Sequence, residues 1–252
     1  MTRVGLDAHP TNTIIYGKES GDFLFSLYDD TYPQVPYRLS ANLIGGNPND
    51  RDTSPLTTWR REMAEEFDPT PDQKNLRFDK NELAAPEVIG EVRDALLAVE
   101  RTRDIRYADF FVNGIGFPRN VATPYTAIFS VVEAGLDERY FEQMRRALAD
   151  GRRIMSEGRA VIYSLNSLLE RDRSVGSDGP YVVAHGVPII LPVYLREQKG
   201  LDEVTFKGPQ GLSGRTLLGG VRDSYDSYLD EFSYNRFPED HPKAGREKFR
   251  TY

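Results

Sequence analysis

The 252-residue chain contains no cysteine. Disulfides, zinc–thiolate centres and a cysteine nucleophile are thereby excluded, and a reducing compartment is compatible with the composition. A cytoplasmic location is the default expectation. Long apolar runs are missing too: no segment approaches the roughly 18 consecutive apolar residues of a membrane span. The first dozen residues lack the apolar core of a signal peptide. Positive charge is not in excess, the formal charge being -7. Such a chain does not attract a nucleic-acid backbone through its overall field. Neither nucleic acid nor a membrane is therefore expected as a partner. A nucleotide can still bind through a divalent cation, which reverses the local sign. Histidine is scarce: His9, His185 and His241 are far apart and form no ligand pair. His185, beside Gly186 in an apolar segment, reads as a hydrogen-bonded structural residue. Ser54 and Ser130 lie in no nucleophile elbow. Gly208-Pro209-Gln210-Gly211 lacks the form of a phosphate-binding loop and reads, like Gly219-Gly220, as a turn.

Aromatic residues are plentiful, with 13 Phe and 14 Tyr, and they argue for a folded core. Three strand-like runs open the chain at Thr13 to Tyr16, Phe23 to Tyr28 and Tyr37 to Ile44, the last running into Gly45-Gly46. A turn-rich stretch follows. A helix then starts at Thr53 or Ser54 as N-cap with Pro55 in its first turn, and ends near Phe67 before Asp68-Pro69. A second helix is predicted over 86–101 and a charged amphipathic one over 137–153. Strands are predicted at 107–112, 125–133 and 160–165, a short helical turn at 167–170, and a helix or buried apolar segment at 181–195. Strands mixed with helices in this order predict an α/β or α+β layered domain. The expected organisation is a domain over 1–198 with an insertion at about 70–104, and a polar C-terminal extension over 199–252 packed on the domain or on a partner chain. The insertion is expected either to shape substrate choice or to supply a homodimer surface.

On a helical wheel, Leu56, Trp59, Met63 and Phe67 share an arc of roughly 80°, a core stripe. Glu62, Glu65 and Glu66 occupy a separate arc of about 100° beside it. Like charges at one-turn spacing repel, and near a helix C-terminus the dipole disfavours them further. Arg61 offsets part of this. An ordinary solvated face is one reading of such a run. A hard divalent cation, which takes oxygen ligands, is the other. A strand ending in Gly-Gly, then a tight loop, then the capped helix favours a shared pocket, because glycine lets the backbone approach a ligand closely.

Arg61-Glu62-Met63-Ala64-Glu65-Glu66 resembles the Arg-Glu-apolar-x-Glu-Glu core of the box that marks the Nudix hydrolases. Gly45-Gly46 is similar to the glycine pair before that box, and Ser54-Pro55-Leu56 to the segment that opens its helix. Two positions depart from the pattern. The family has an acidic residue where this chain has Thr53, with Asp52 one position off, and a glycine where this chain has Asp68. The resemblance implies a Nudix-like α/β/α sandwich with a mixed sheet. It implies hydrolysis of a phosphoanhydride in a nucleoside diphosphate derivative or nucleoside triphosphate, with Mg2+ or Mn2+ as cofactor. Glu62 and Glu66 are then metal ligands, and Glu65 is a ligand or holds a metal-bound water. Arg61 orients the glutamates. Gly45 and Gly46 offer backbone contacts to metal and substrate. The general base is one of the helix glutamates or Glu133, at the end of a predicted strand. Trp59, Tyr16, Phe23 and Phe25 read mainly as core. The alternative from another class is a nucleotide sensor or interaction module on the same fold. The tail from Lys199 carries no basic helix-turn-helix, which favours the enzyme.

Overall fold

The computed structural model describes residues 11–32, 35–49, 51–53, 55–99, 105–113, 124–175, 181–184, 187–201, 204–207 and 217–222. His9, Ser54, His185, His241 and Gly208 to Gly211 lie outside the described residues. The fold is α/β, an eight-stranded mixed sheet with helices on both faces. Strands β1 (Thr11–Gly17), β2 (Phe23–Leu27), β3 (Ala41–Asn42) and β4 (Ile44–Gly46) come first. Helices α1 (Pro55–Glu66) and α2 (Pro86–Val99) follow. Next come β5 (Ile105–Asn113), β6 (Pro124–Leu136), α3 (Glu138–Ala149) and β7 (Arg159–Tyr163). The chain continues through α4 (Leu165–Ser174), α5 (Val187–Lys199) and β8 (Leu217–Arg222).

The sheet runs β3-β2-β1-β6-β5-β8, with β4 on β1 and β7 on β2. The β1–β6 pairing is parallel and the others are antiparallel. Strand β1 is buried on both sides, as its unbroken apolar run Ile14-Ile15-Tyr16 requires. Ile14 packs with Leu168 of α4 and Val187, Ile190 and Leu191 of α5. Its neighbour Ile15 faces the other way, among Trp59 and Met63 of α1, Phe67 just beyond it, Val92 and Leu96 of α2, and Phe141 and Met144 of α3. The result is three layers, with two separate cores divided by the sheet. Helix α2 gives its inner face to the same core as α1, through Ile89, Val92 and Leu96.

Four local readings differ from the structure, the first being the short helical turn expected over 167–170, which is the ten-residue helix α4. The strand expected over Tyr37 to Ile44 is replaced by a 3-10 turn at Val35–Tyr37, Leu39 in the left-handed region (φ 60°), and the short strands β3 and β4. The break is a consequence of the sheet: β1 and β2 diverge, so one stretch of chain pairs with β2 through Ala41–Asn42 and then with β1 through Ile44–Gly46. The apolar stretch from Tyr181 becomes helical only at Val187, and Pro192 lies inside α5. Gly219-Gly220 is not a turn but part of β8, which pairs with β5.

Trp59 fixes how α1 sits on the sheet. It is fully buried, and its indole N–H donates to Thr13 Oγ1 of β1 at 3.0 Å. Substituting Trp59→Ala removes the largest buried side chain of that core and leaves the threonine hydroxyl without its donor. A loss of about 3–5 kcal/mol is expected, read from urea unfolding curves.

Candidate active site: a carboxylate cluster beside a double glycine

The site begins where β4 meets β1. Gly46 pairs with Thr11 and Gly45 with Asn12. Gly45 has φ 151°, and a Cβ there would stand 2.0 Å from the Thr11 carbonyl oxygen. At Gly46 a Cβ would meet the Glu62 carboxylate at 2.3 Å. The second glycine is thus a cradle for Glu62: the carboxylate rests on bare backbone, which no other residue type offers. Of the three helix glutamates, Glu62 is the one that lies against the glycine pair.

The loop that follows is organised by Asp52. Its side chain is 4% exposed. Oδ2 accepts from the Asn49 backbone N–H at 2.8 Å, and the Asp52 N–H returns a bond to the Asn49 carbonyl. The same carboxylate accepts from Arg61 Nη2 at 2.9 Å and Nε at 3.2 Å, a fork-to-carboxylate pairing. Asp52, one position off the pattern, therefore holds Arg61, while Thr53 is exposed and donates its backbone N–H to Thr57 Oγ1. Arg61 also donates to the Asn47 carbonyl at 2.8 Å. Its Nη1 pairs with Glu62 at 2.7 Å and Glu65 at 2.9 Å. Burial pulls the guanidinium down, but Asp52 and Glu62 more than reverse this, and it stays charged above its ordinary range.

Glu66 has no such partner. Its Oε2 is buried and accepts no hydrogen bond. Burial, reinforced by the charges of Glu157, Glu62 and Glu65, pushes the Glu66 carboxyl up to about 8. Glu62 is also raised, by burial first, with Arg61 opposing and Glu65 and Glu157 adding to the rise. Glu65 is the outermost, its side chain 48% exposed.

Glu157 was not legible in the sequence. It is brought in by Ser156, whose backbone N–H donates to the Glu66 carbonyl at 2.8 Å and whose hydroxyl donates to the carbonyls of Glu65 and Glu66. Ile154 and Met155, both buried, root this loop in the core under α1. Ser156 thus caps the carbonyls that the end of α1 leaves unpaired. Beyond the helix, Asp68 takes the position where the Nudix pattern has glycine, and its Oδ1 accepts the Thr70 N–H at 2.8 Å in a side-chain turn. The only hint of Glu157 in the sequence is an acidic residue between the apolar pair and β7, which is indistinguishable from an ordinary loop carboxylate.

Glu133 is placed elsewhere. It is buried in β6, in register with Ile14 and two residues from Val131, on the face that α4 and α5 cover. Helix α1 lies on the opposite face, so the structure does not bring Glu133 to Glu62, Glu65 and Glu66.

Among the described residues, no three acidic or imidazole side chains stand as a ready-made cation cage. Arg61 draws Glu62 and Glu65 toward itself. The carboxylate oxygens on this helix nonetheless include one orphaned buried oxygen, and Glu62 faces a glycine that a Cβ would block, the oxygen chemistry that a hard divalent cation would require.

Two predictions follow from these positions. Between about 4.5 and 8 the folded protein holds a proton at Glu66 that the unfolded chain releases. With chelator present, stability must fall as pH rises through that window, because the native state binds more protons there. Glu66→Gln should flatten this part of a melting-temperature profile and raise its value at pH 8. Gly46→Ala should leave the protein folded, since the clash is with the tip of a flexible side chain. It should displace Glu62 and remove any rise in melting temperature that Mg2+ or Mn2+ gives the unmodified protein, read by thermal denaturation across a cation titration.

No family model and no curated protein matches the chain. Among solved structures it is similar to an Ap4A hydrolase from C. elegans, at 11% identity and a TM-score of 0.30, over 65% of this chain and 84% of that one. It is also similar to a bifunctional NMN adenylyltransferase/ADP ribose pyrophosphatase from Francisella tularensis, at 13% identity and a TM-score of 0.26. That second likeness covers 50% of this chain and about a quarter, 26%, of the bifunctional enzyme.

Proposed function

We propose that the chain is a divalent-cation-dependent hydrolase that cleaves a phosphoanhydride in a nucleoside diphosphate derivative or nucleoside triphosphate, releasing a nucleoside monophosphate. The observation that carries the reading is the unresolved charge around Glu66. Its buried carboxylate has no donor, and it is crowded by Glu62, Glu65 and Glu157. A structural protein gains nothing from that arrangement, since like charges at this spacing and an unpaired buried oxygen both destabilise the fold. A substrate carrying cation-bound phosphates removes the conflict.

In this reading Glu62 and Glu66 would hold the cation through their carboxylate oxygens, and Glu65, at the outer edge, would add a further oxygen or hold a water beside it. The bound Mg2+ or Mn2+ neutralises phosphate charge and lowers the pKa of a water. Arg61 is a positioning residue. Anchored by Asp52 and the Asn47 carbonyl, it pairs with Glu62 and Glu65 and holds both on one side of the helix. A bound cation would favour the ionised form of Glu66, because positive charge beside a carboxylate lowers its pKa. The Gly46 backbone, bare on the side that faces Glu62, lets a phosphate or cation approach the strand end. A carboxylate on α1 takes the proton from the attacking water. Glu133, on the other face of the sheet, does not serve.

The test is turnover on a panel of nucleoside triphosphates, nucleotide sugars and dinucleoside polyphosphates with Mg2+ or Mn2+, following release of mononucleotide. The unmodified protein should turn over at least one of them. Glu65→Gln and Glu66→Gln should each reduce kcat by about 100-fold or more, the scale of losing a group that acts in the transition state. Saturable nucleotide binding with no product under any cation would overturn the catalytic reading in favour of a sensor.

A further inference from the structure

The last turn of the insertion between α1 and α2 lies against the loop that carries Glu157. Gln73 staples that turn: its Nε2 donates to the Phe78 carbonyl at 2.8 Å, and its Oε1 accepts the Lys80 N–H at 2.8 Å. Asp79 caps the 3-10 turn Lys80–Glu82, and Glu82 completes a capping box, its Oε1 accepting the Asp79 N–H. The other oxygen of the same carboxylate accepts from Arg153 Nε at 3.0 Å. One glutamate thus closes its own turn and holds an arginine far along the chain.

The contact continues through the backbone. Leu83 and Arg153 form a parallel bridge. The Arg153 N–H donates to the Glu82 carbonyl at 2.8 Å, and the Ala84 N–H donates to the Arg153 carbonyl at 2.7 Å. Arg152 donates to the Asn81 carbonyl. The Arg153 guanidinium lies 4.0 Å from the centroid of the Phe78 ring, and its Nη1 reaches forward to the Gly158 carbonyl at 3.4 Å. An exposed Arg–Glu pair alone contributes little. This one is joined by backbone bonds and an aromatic face, and the Arg153 side chain is only 18% exposed.

The loop is thereby fixed on both sides of one residue. Arg153 is tied to the insertion and to Gly158. Ile154 and Met155 are buried in the core under α1, and Ser156 is bonded to the carbonyls of Glu65 and Glu66. Of residues 153–158, Glu157 is the exposed one, so its carboxylate is open to a cation. Its charge acts on both Glu62 and Glu66.

We propose that residues 78–84 and Arg153 are a positioning device for the carboxylate cluster: they close the 153–158 loop so that Glu157 stays beside Glu66 and adds a fourth carboxylate to the cation-binding face of α1. Arg153 and Glu82 are positioning residues, and they act on the cluster only through Glu157. The use of the device rests on the hydrolase reading.

The test uses the full chain, with Mn2+ alone as the first probe and free Mn2+ followed by electron paramagnetic resonance. Arg153→Met should weaken Mn2+ binding by about tenfold in the parent and leave it unchanged on a Glu157→Gln background. The same non-additivity should appear in kcat on the nucleotide panel. Amide hydrogen exchange reads the device without cation or substrate: protection at Ser156 should fall by about tenfold or more in Arg153→Met while that at Ile15 in β1 holds. If Arg153→Met fails to fold, Glu82→Gln takes its place, since glutamine preserves the capping box, and the expected losses are about threefold. Losses that add to those of Glu157→Gln mark a role in stability alone and overturn the proposal, as does unchanged exchange at Ser156. A parent protein that binds no Mn2+ and turns over no nucleotide overturns the hydrolase reading and this proposal with it. A parent that does both, with Arg153→Met its equal, overturns this proposal alone.

Discussion

The fork between Arg61 and Asp52 is the contact on which the rest of the carboxylate site depends. Asp52 is almost fully enclosed and has a second task, closing the loop onto the Asn49 N–H. A buried carboxylate that binds both loop backbone and guanidinium cannot shift without leaving polar groups unpaired, which costs about 1–3 kcal/mol for each such group. Arg61 is therefore held at its root, and its far nitrogen is left to bind Glu62 and Glu65. Remove the fork, and the guanidinium swings outward with two of the helix carboxylates. Their spacing on the helix would survive, but their common orientation would not.

A second constraint comes from the sheet. With β1 buried on both faces, every residue of that strand is committed to one of two cores. Thr13 and Ile15 belong to the α1 side, and Thr13 receives the Trp59 indole. Trp59, Met63 and Phe67 then lock the rotation of α1 about its own axis. Rotation decides function here, because Glu62 and Glu66 lie beside the buried stripe. A turn of even one residue's angular step, about 100°, would send them into solvent. The alignment of Glu62 against Gly46 is thus set by the apolar packing of its neighbours on the helix, Trp59 and Met63.

The same logic explains which parts of the molecule were legible in the sequence. Helix α1 and its stripe were readable because periodicity, a first-turn proline and a terminal Asp-Pro all point to one answer. The glycine pair was readable as a close approach, and the structure gives it a partner, Glu62. The role of Asp52 was obscured by one residue of register. Sequence spacing counts positions, whereas a loop measures reach, and an Asn49–Asp52 turn absorbs the offset. The split of β3 from β4 depends on the divergence of β1 and β2, a property of the sheet that neither segment encodes alone. Glycines 219 and 220 read as a turn by propensity, but they lie within β8, at the point where its register with β5 shifts. Glu157 depends on contacts across 90 residues of chain and leaves no local trace.

Ser156 shows why folding and chemistry are hard to separate in this molecule. The end of α1 needs donors for its last carbonyls. They come from Ser156, on a loop rooted by Ile154 and Met155. Because residue 157 is covalently the next position, the loop that completes the helix also delivers a carboxylate to Glu66. Without the Ser156 bonds the loop would lose its anchor on the end of α1, and Glu66 would lose the largest of the charges that raise it.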